Sequence, residues 1–85
     1  MKNEKEIYQH LQLILSRIMP SYPKEYWCAE SQLFGELPEF DSMAIINLIG
    51  ELEDCFDIEL DDEDVTADNF ETVASIVNLL LSRNV

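Results

Sequence analysis

Apolar side chains recur at helical spacing near the beginning of this chain. Between residues 4 and 19 they lie three and four positions apart, which predicts an α-helix with one buried stripe. That stripe consists of Ile7, Leu11, Ile14 and Ile18, with Tyr8 and Leu15 on its flank. Pro20 and Pro23 should end the helix, because proline has no amide hydrogen and its ring clashes with the preceding turn.

A long irregular stretch follows, from residue 20 to residue 40. It is longer than an ordinary connection, so we expect a loop that packs on its own apolar side chains. Those side chains are Tyr22, Tyr26, Trp27, Leu33, Phe34 and Leu37. We interpret Trp27 as an anchor of the loop in the core rather than as a binding aromatic.

A second helix should begin at residue 41 or 42 and end at residue 56. Asp41 is a suitable N-cap, and its negative charge suits the positive end of the helix dipole. The predicted core stripe is Ile45, Ile49, Leu52 and Phe56, with Ile46 and Leu48 beside it. At 100° per residue, the opposite and outward side contains Met43, Ala44, Asn47, Glu51 and Asp54.

The remaining chain is an acid-rich connection followed by a last helix. Residues 57–69 should hold a single short helical turn near residues 62–66, and the last helix should run from 71 to 82. Its stripe is Val73, Ile76, Val77 and Leu80, with Phe70 packed at its start and Asn69 or Thr72 as its cap. We therefore predict an all-α fold in one domain, residues 1–85: a bundle of three main helices with one short helix and a long first loop.

The net charge restricts the classes of partner that this bundle can bind. Eighteen acidic and five basic side chains give a formal net charge of −13 at pH 7. Residues 41–85 hold twelve of the acids and only one base, Arg83, a net charge of −11. Such a field repels phosphate backbones and anionic membranes and attracts basic protein surfaces. Nucleic-acid binding is excluded, and the same repulsion favours a monomer.

The cysteines and the chain ends suggest an intracellular setting. Cys28 and Cys55 are too few for a disulfide scaffold and lack zinc-site spacing, so we expect two buried or half-buried free thiols, with a single disulfide as the alternative. The first residues do not resemble a signal peptide, and no apolar run is long enough to span a membrane. We expect a cytoplasmic protein.

Neither an enzyme nor a metal site has support in the sequence. His10 is the only histidine and should lie on the exposed side of the first helix, with no hydroxyl or thiol paired to it by a recognisable motif. The alternating acids from Asp57 to Glu63 suggest calcium, but an EF-hand loop starting at Asp57 would need Gly and Glu where Asp62 and Asp68 stand. We predict no catalytic activity and no specific metal site; the charge density leaves a structural divalent-ion site of weak affinity as the alternative.

The segment from residue 38 to residue 60 contains Asp41-Ser42-Met43 at the start of a helix, an apolar stripe, and Phe56 to Leu60 after it. With these features it resembles the acyl carrier protein family. In that family the motif is Asp-Ser-Leu. The resemblance extends over essentially the whole chain, from the first helix to Phe70-Glu71-Thr72-Val73 at the last one. Within residues 37–49 it is similar to small carriers associated with exosortase and exopolysaccharide gene clusters.

The resemblance implies a function. Ser42 would carry a 4′-phosphopantetheine arm derived from coenzyme A, and its thiol would hold acyl or aminoacyl groups as thioesters. A phosphopantetheinyl transferase would attach the arm, and Asp41 would help to position that enzyme's coenzyme A and metal. Loading ligases and downstream synthases or transferases would be further partners, in a fatty-acid-like or specialised biosynthetic pathway. A helix start suits a phosphodiester, because unpaired amides and the dipole favour an anion there.

Two sets of residues follow from this interpretation. The partner-facing set is Met43, Asn47, Glu51, Glu53 and Asp54, which a basic docking surface could grip. The candidates for an acyl pocket are Ile45, Ile46, Leu52, Phe70 and Ile76. A competing hypothesis makes the chain an acidic protein–protein interaction adaptor without a prosthetic group, in which Ser42 is only a helix-start residue.

Overall fold

Three α-helices form the framework of the molecule. A computed structural model of the chain describes residues 3–35 and 40–83. The helices are α1 (Glu4–Ile18), α2 (Ser42–Phe56) and α3 (Val73–Ser82), and the connections contain 3₁₀ turns at Lys24–Tyr26 and Asp62–Asp64. The prediction of an all-α bundle with a long first loop and a short helical turn before the last helix is confirmed.

The helices begin where side chains can accept from their first free amides. Asn3 caps α1, where its Oδ1 accepts from the Glu6 amide at 2.8 Å. Thr72 caps α3 in a reciprocal pair with Ser75: the Thr72 Oγ1 accepts from the Ser75 amide at 3.1 Å, and the Ser75 Oγ accepts from the Thr72 amide at 3.0 Å. Of the two caps considered from the sequence, the structure selects Thr72 over Asn69.

The core lies between the three helices and the first loop. In α1, Ile7, Leu11 and Ile14 are buried as predicted, but Leu15 replaces Ile18 as the fourth buried residue. The predicted stripe of α3 is buried throughout, and Phe70 is buried at its start. No helix in residues 3–35 and 40–83 has the length and hydropathy needed to cross a membrane.

Helix α2 is rotated from its predicted orientation. Its fully buried residues are Ala44, Leu48, Leu52 and Phe56, whereas Ile45 and Ile49 are only partly buried. The buried face is therefore turned by about 50° relative to the predicted stripe. The outward placement of Ala44 was wrong, since only 6% of that residue is exposed. Ala44 is small enough to let the start of α2 approach its neighbours closely.

Helices α1 and α2 run antiparallel. Arg17, near the end of α1, donates to the Glu51 carboxylate at 2.8 Å. His10, seven residues earlier on α1, faces Cys55, which is four residues later than Glu51 on α2. The ion pair is largely exposed, so it contributes at most about 1 kcal/mol.

Trp27 anchors the first loop, as predicted. Its side chain is 1% exposed, and its carbonyl accepts from the Tyr8 hydroxyl and from the Gln12 side-chain amide, both at 2.8 Å. Desolvation raises the pKa of the Tyr8 phenol, with smaller contributions from Cys28 and Glu30. Tyr26 and Phe34, which were expected to pack inside, are nearly half exposed, and Leu37 lies outside the described residues.

The second half of this loop pairs with the start of α3. Gln32 and Thr72 form an isolated antiparallel bridge. Around it, the amides of Leu33 and Phe34 donate to the Glu71 and Phe70 carbonyls at 2.7 and 3.2 Å. In return, the amides of Val73 and Ala74 donate to the Ser31 and Ala29 carbonyls at 3.1 and 3.0 Å. Together with the Thr72 cap, this pairing satisfies the amides of the first turn of α3.

The short turn at Asp62–Asp64 is joined to the end of α3. The Asp64 carboxylate accepts from the Asp61 amide at 3.0 Å and from the Arg83 guanidinium. Asn69 adds a bond from its side-chain amide to the Asp64 carbonyl at 2.9 Å. The most acidic segment of the chain is thus held by the only basic residue of its half.

Candidate functional site

Ser42 is the first residue of α2 and is exposed. The residue before it, Asp41, has extended backbone geometry, and its Oδ1 accepts from the Ala44 amide at 3.0 Å. This is the N-cap arrangement predicted from the sequence. The cap holds the start of the helix in place, and Ser42 is exposed beside it, where a second molecule can approach.

The backbone at Ser42 offers hydrogen-bond donors. The first bond of the α2 ladder is donated by Ile45 to the Asp41 carbonyl at 3.0 Å, so the amides of Ser42 and Met43 precede the ladder. Within residues 3–35 and 40–83 neither amide has an acceptor. The first two amides of α3, in contrast, are taken up by loop carbonyls. Helix α2 therefore presents donors at its N-terminus, which suits a phosphodiester carried by Ser42.

The half of the chain that contains Ser42 supplies no unpaired basic side chain. In residues 41–85 the only base is Arg83, and it is bound to Asp64. From this half of the chain, the donors for an anion at Ser42 would be backbone amides and the helix dipole, which cost no side-chain entropy to position.

One face of α2 forms a continuous exposed stripe below Ser42. Met43 is 65% exposed and Ile46 61%, and both have large apolar side chains. Positions three, four, seven and eleven residues after Met43 lie on the same face. We call this the docking stripe: Met43, Ile46, Asn47, Gly50 and Asp54, all exposed.

Two of the predicted partner-facing acids lie beside the stripe and are engaged within the molecule. Glu51 is half-buried and binds Arg17 of α1. Glu53 is half-buried on the other side, where its carboxylate accepts from the Leu60 amide at 2.9 Å. Asp54 is the predicted acid that points outward without such a bond in the described residues. Met43 and Asn47 are exposed as predicted.

A small apolar cavity lies one turn along α2 from Ser42. Its volume is about 80 Å³, and it is lined by Phe34, Ile45, Val65, Thr66, Ala67 and Phe70. Ile45 and Phe70 belong to the predicted pocket set. Leu52 and Ile76 are fully buried in the core and do not line the cavity. Ile46 was wrongly placed, since it is exposed on the docking stripe.

Sequence reasoning missed four lining residues: Phe34, Val65, Thr66 and Ala67. Phe34 comes from the first loop and reaches the cavity because its amide is bonded to the Phe70 carbonyl at 3.2 Å. The other three follow the short turn that Arg83 holds. Both placements depend on contacts between distant segments, for which the apolar periodicity of the helices contains no signal.

Comparisons with known proteins bear on this arrangement. The family model described as the phosphopantetheine attachment site matches residues 30–80. The solution NMR structure of a holo acyl carrier protein from Nitrosomonas europaea is similar to this chain at 33% identity and a TM-score of 0.80. That similarity covers 91% of this chain and 94% of the other. No protein in a curated set matched.

This chain belongs to the acyl carrier protein family. It is a carrier and not an enzyme, and the prosthetic group of its family is a covalently attached phosphopantetheine. Interaction with transferases and synthases is general in the family. The amides of Ser42 and Met43, which have no acceptor among the described residues, and the exposed Ser42 fit the phosphodiester end of that group.

The remaining reactive side chains of the carrier lie elsewhere. Cys28 and Cys55 are free thiols, but both are exposed, whereas burial or half-burial was expected. His10 is half-buried rather than exposed, and its Nδ1 lies 3.7 Å from the Cys55 sulfur. Within residues 3–35 and 40–83, no group of three or more His, Cys, Asp or Glu side chains could hold a metal ion.

The cap at Asp41 predicts a measurable loss of stability. Asp41→Ala removes the acceptor of the Ala44 amide and should lower the free energy of unfolding by about 1 kcal/mol. Asp41→Asn, which keeps an acceptor oxygen, should lose less than half as much. Urea denaturation followed by circular dichroism measures both. Equal losses in the two variants would show that the charge of Asp41, and not its hydrogen bond, stabilises α2.

Proposed function

We propose that Ser42 is the attachment site of the phosphopantetheine and that the carrier moves acyl or aminoacyl groups between partner enzymes as thioesters. The supporting observation is the position of Ser42: exposed, behind the Asp41 cap, and at a helix start with two free amides in the described part of the chain. The pathway we propose is fatty-acid-like or specialised biosynthesis, in the cytoplasm.

The residues of the carrier supply attachment and positioning. The Ser42 Oγ provides the ester oxygen, and the amides of Ser42 and Met43 stabilise the phosphate charge at the positive end of α2. Asp41 keeps that helix end in place and lies where a transferase must approach. When bound, the group supplies the terminal thiol that holds the cargo. No step at Ser42 requires a base from the carrier, because the transferase performs the chemistry.

The docking stripe gives the partner enzymes a surface next to Ser42. Its upper part is apolar, with Met43 and Ile46, and its lower end is acidic, with Asp54. Apolar side chains in the centre of such a contact exclude water, while the net charge of −13 accelerates encounter with a basic partner surface. A carrier must also dissociate quickly, which a contact of this size and charge permits.

The cavity beside Ile45 offers partial shelter for a cargo. At about 80 Å³ it is too small for a long acyl chain in the present conformation. Its wall at Val65, Thr66 and Ala67 belongs to an irregular connection, so the cavity can widen there without breaking a helix. We therefore place the first carbons of an acyl chain between Ile45, Phe70 and this segment.

The adaptor hypothesis accounts for fewer of these observations than the carrier hypothesis does. It accounts for the acidic surface, but it assigns no role to an exposed serine at a helix start and does not explain why the match to the attachment-site family covers residues 30–80. The two hypotheses differ in whether Ser42 is modified.

The first prediction from the proposed function concerns that modification. Incubation with coenzyme A, Mg²⁺ and a broad-specificity phosphopantetheinyl transferase should add one phosphopantetheine to the wild type and none to Ser42→Ala. Intact-mass spectrometry measures both. Ser21→Ala, which changes an exposed loop serine, is the matched control and should be modified like the wild type. Wild-type protein that stays unmodified with several transferases would favour the adaptor.

The docking stripe predicts that modification by the transferase depends more on where a charge lies on the carrier than on the carrier's net charge. Asp54→Lys should lower kcat/KM for modification by the transferase about three- to tenfold, because it places a positive charge at the contact. Glu25→Lys changes the net charge equally on an exposed residue of the first loop and should have a much smaller effect. Equal effects at 0.1 M salt would assign the contribution to the overall field and remove Asp54 from the contact.

The cavity predicts which residues change their NMR signals when an acyl chain is attached to the arm. Loading the arm with a medium-length acyl group from acyl coenzyme A should shift the NMR signals of Val65, Thr66 and Ala67 relative to the form carrying the free thiol. The methyl signals of Leu52, which is fully buried but does not line the cavity, serve as the control and should move little. Identical spectra of the two forms would show that the cargo stays in solvent.

A further inference from the structure

A thiol and an imidazole meet in a groove between α1 and α2. The Cys55 sulfur lies 3.7 Å from Nδ1 of His10. The groove has a volume of about 330 Å³ and is lined by His10, Leu13, Ile14, Ser16, Arg17 and Cys55. Cys55 is exposed, so a small molecule can reach its sulfur from solvent. The volume is within the range of small-molecule sites.

The imidazole is held in place by its neighbours. The His10 ring stands edge-on to the Phe56 ring, with centroids 5.7 Å apart and planes at 80°. Phe56 is itself buried at the end of α2. His10 and Cys55 belong to two helices that pack in one core, and the Arg17–Glu51 ion pair joins the same two helices. Such a pair needs little reorganisation before a proton transfer.

We infer that Cys55 is a thiol-modification site at which a low-molecular-weight disulfide forms a mixed disulfide, with His10 as the acceptor of the thiol proton. The acceptor atom is Nδ1, in the tautomer whose hydrogen is on Nε2. This site is separate from the attachment of phosphopantetheine and does not depend on it.

The exchange balances with the disulfide as the co-reactant. The Cys55 sulfur attacks one sulfur of the disulfide, a new S–S bond forms, and the S–S bond of the reagent breaks. The leaving thiolate takes the electron pair. The proton of Cys55 passes to His10 and then through solvent to that thiolate, which leaves as a thiol. Cys55 is oxidised, and the leaving sulfur is reduced.

The chain contains its own reference thiol. Cys28 is also free and exposed, but its sulfur lies 3.4 Å from the Ser31 hydroxyl, which is not a base near neutral pH. The two cysteines therefore share exposure and solvent, while only Cys55 faces an imidazole in the described part of the chain. Comparison within one molecule removes differences in concentration and net charge.

The net charge of the protein is the same for both cysteines, because the two rates are measured in one molecule. Arg17 of α1 and Glu51 of α2, which form the ion pair near this groove, are present throughout.

Modification at Cys55 would have a consequence for docking, which rests on the proposed function. Cys55 follows Asp54, the acidic end of the docking stripe. A group attached to its sulfur would stand beside the surface that a basic partner approaches. The oxidation state of the surroundings would then regulate delivery of the cargo.

The experiment uses the Ser42→Ala protein, so that no arm thiol takes part and the result is independent of the proposed function. The probe is 2-hydroxyethyl disulfide, which is uncharged, and peptide mass mapping gives the modification rate of each cysteine at pH 7.5. We expect Cys55 to react at least about fivefold faster than Cys28. His10→Gln should remove most of this difference, while the Cys28 rate stays unchanged.

Equal rates at the two cysteines, or a ratio that His10→Gln leaves unchanged, would overturn the inference. Circular dichroism melting of His10→Gln confirms that α1 and α2 still pack, so that a general loss of structure is not mistaken for loss of the proton acceptor.

Discussion

The backbone pairing between the first loop and the start of α3 is the interaction on which the rest of the structure depends. Without this pairing, the amides of the buried residues Leu33 and Val73 would lose their partners, and an unpaired buried polar group costs about 1–3 kcal/mol. Here the loop carbonyls of Ala29 and Ser31 instead accept from the first amides of α3, and the loop amides of Leu33 and Phe34 donate back. The exchange holds Trp27 in the core and brings Phe34 to the cavity near Ser42.

The same constraint distinguishes two helix starts that are similar in sequence. Both α2 and α3 begin with a side-chain cap, Asp41 and Thr72. The first turn of α3 is then closed by the loop, whereas the described residues leave the amides of Ser42 and Met43 open. An anion can be accommodated at only one of these two ends. The start of α2 can therefore accept a phosphate through its backbone amides, although the chain has a net charge of −13.

Different sides of helix α2 contact the core, line the cavity and face a partner. Ala44, Leu48 and Leu52 pack inside, Ile45 faces the cavity, and the docking stripe faces outward. Large apolar side chains on an exposed stripe lose the stabilisation of burial, which for Met43 or Ile46 would be about 1.5–3 kcal/mol. Their exposure is consistent with a surface that is covered only when a partner docks.

The sequence by itself determined the helices, the Asp41 cap, the Trp27 anchor and the resemblance around Ser42, because periodicity, capping and a short motif are local properties. The tertiary structure alone decided the orientation of α2, since Ala44 and Ile45 both fit an apolar face and only the neighbouring helices select between them. It also decided that Val65 to Ala67 line the cavity and that His10 meets Cys55 from a distant segment. These contacts join residues far apart in the chain, and their geometry follows from packing between elements rather than from the pattern within any one of them.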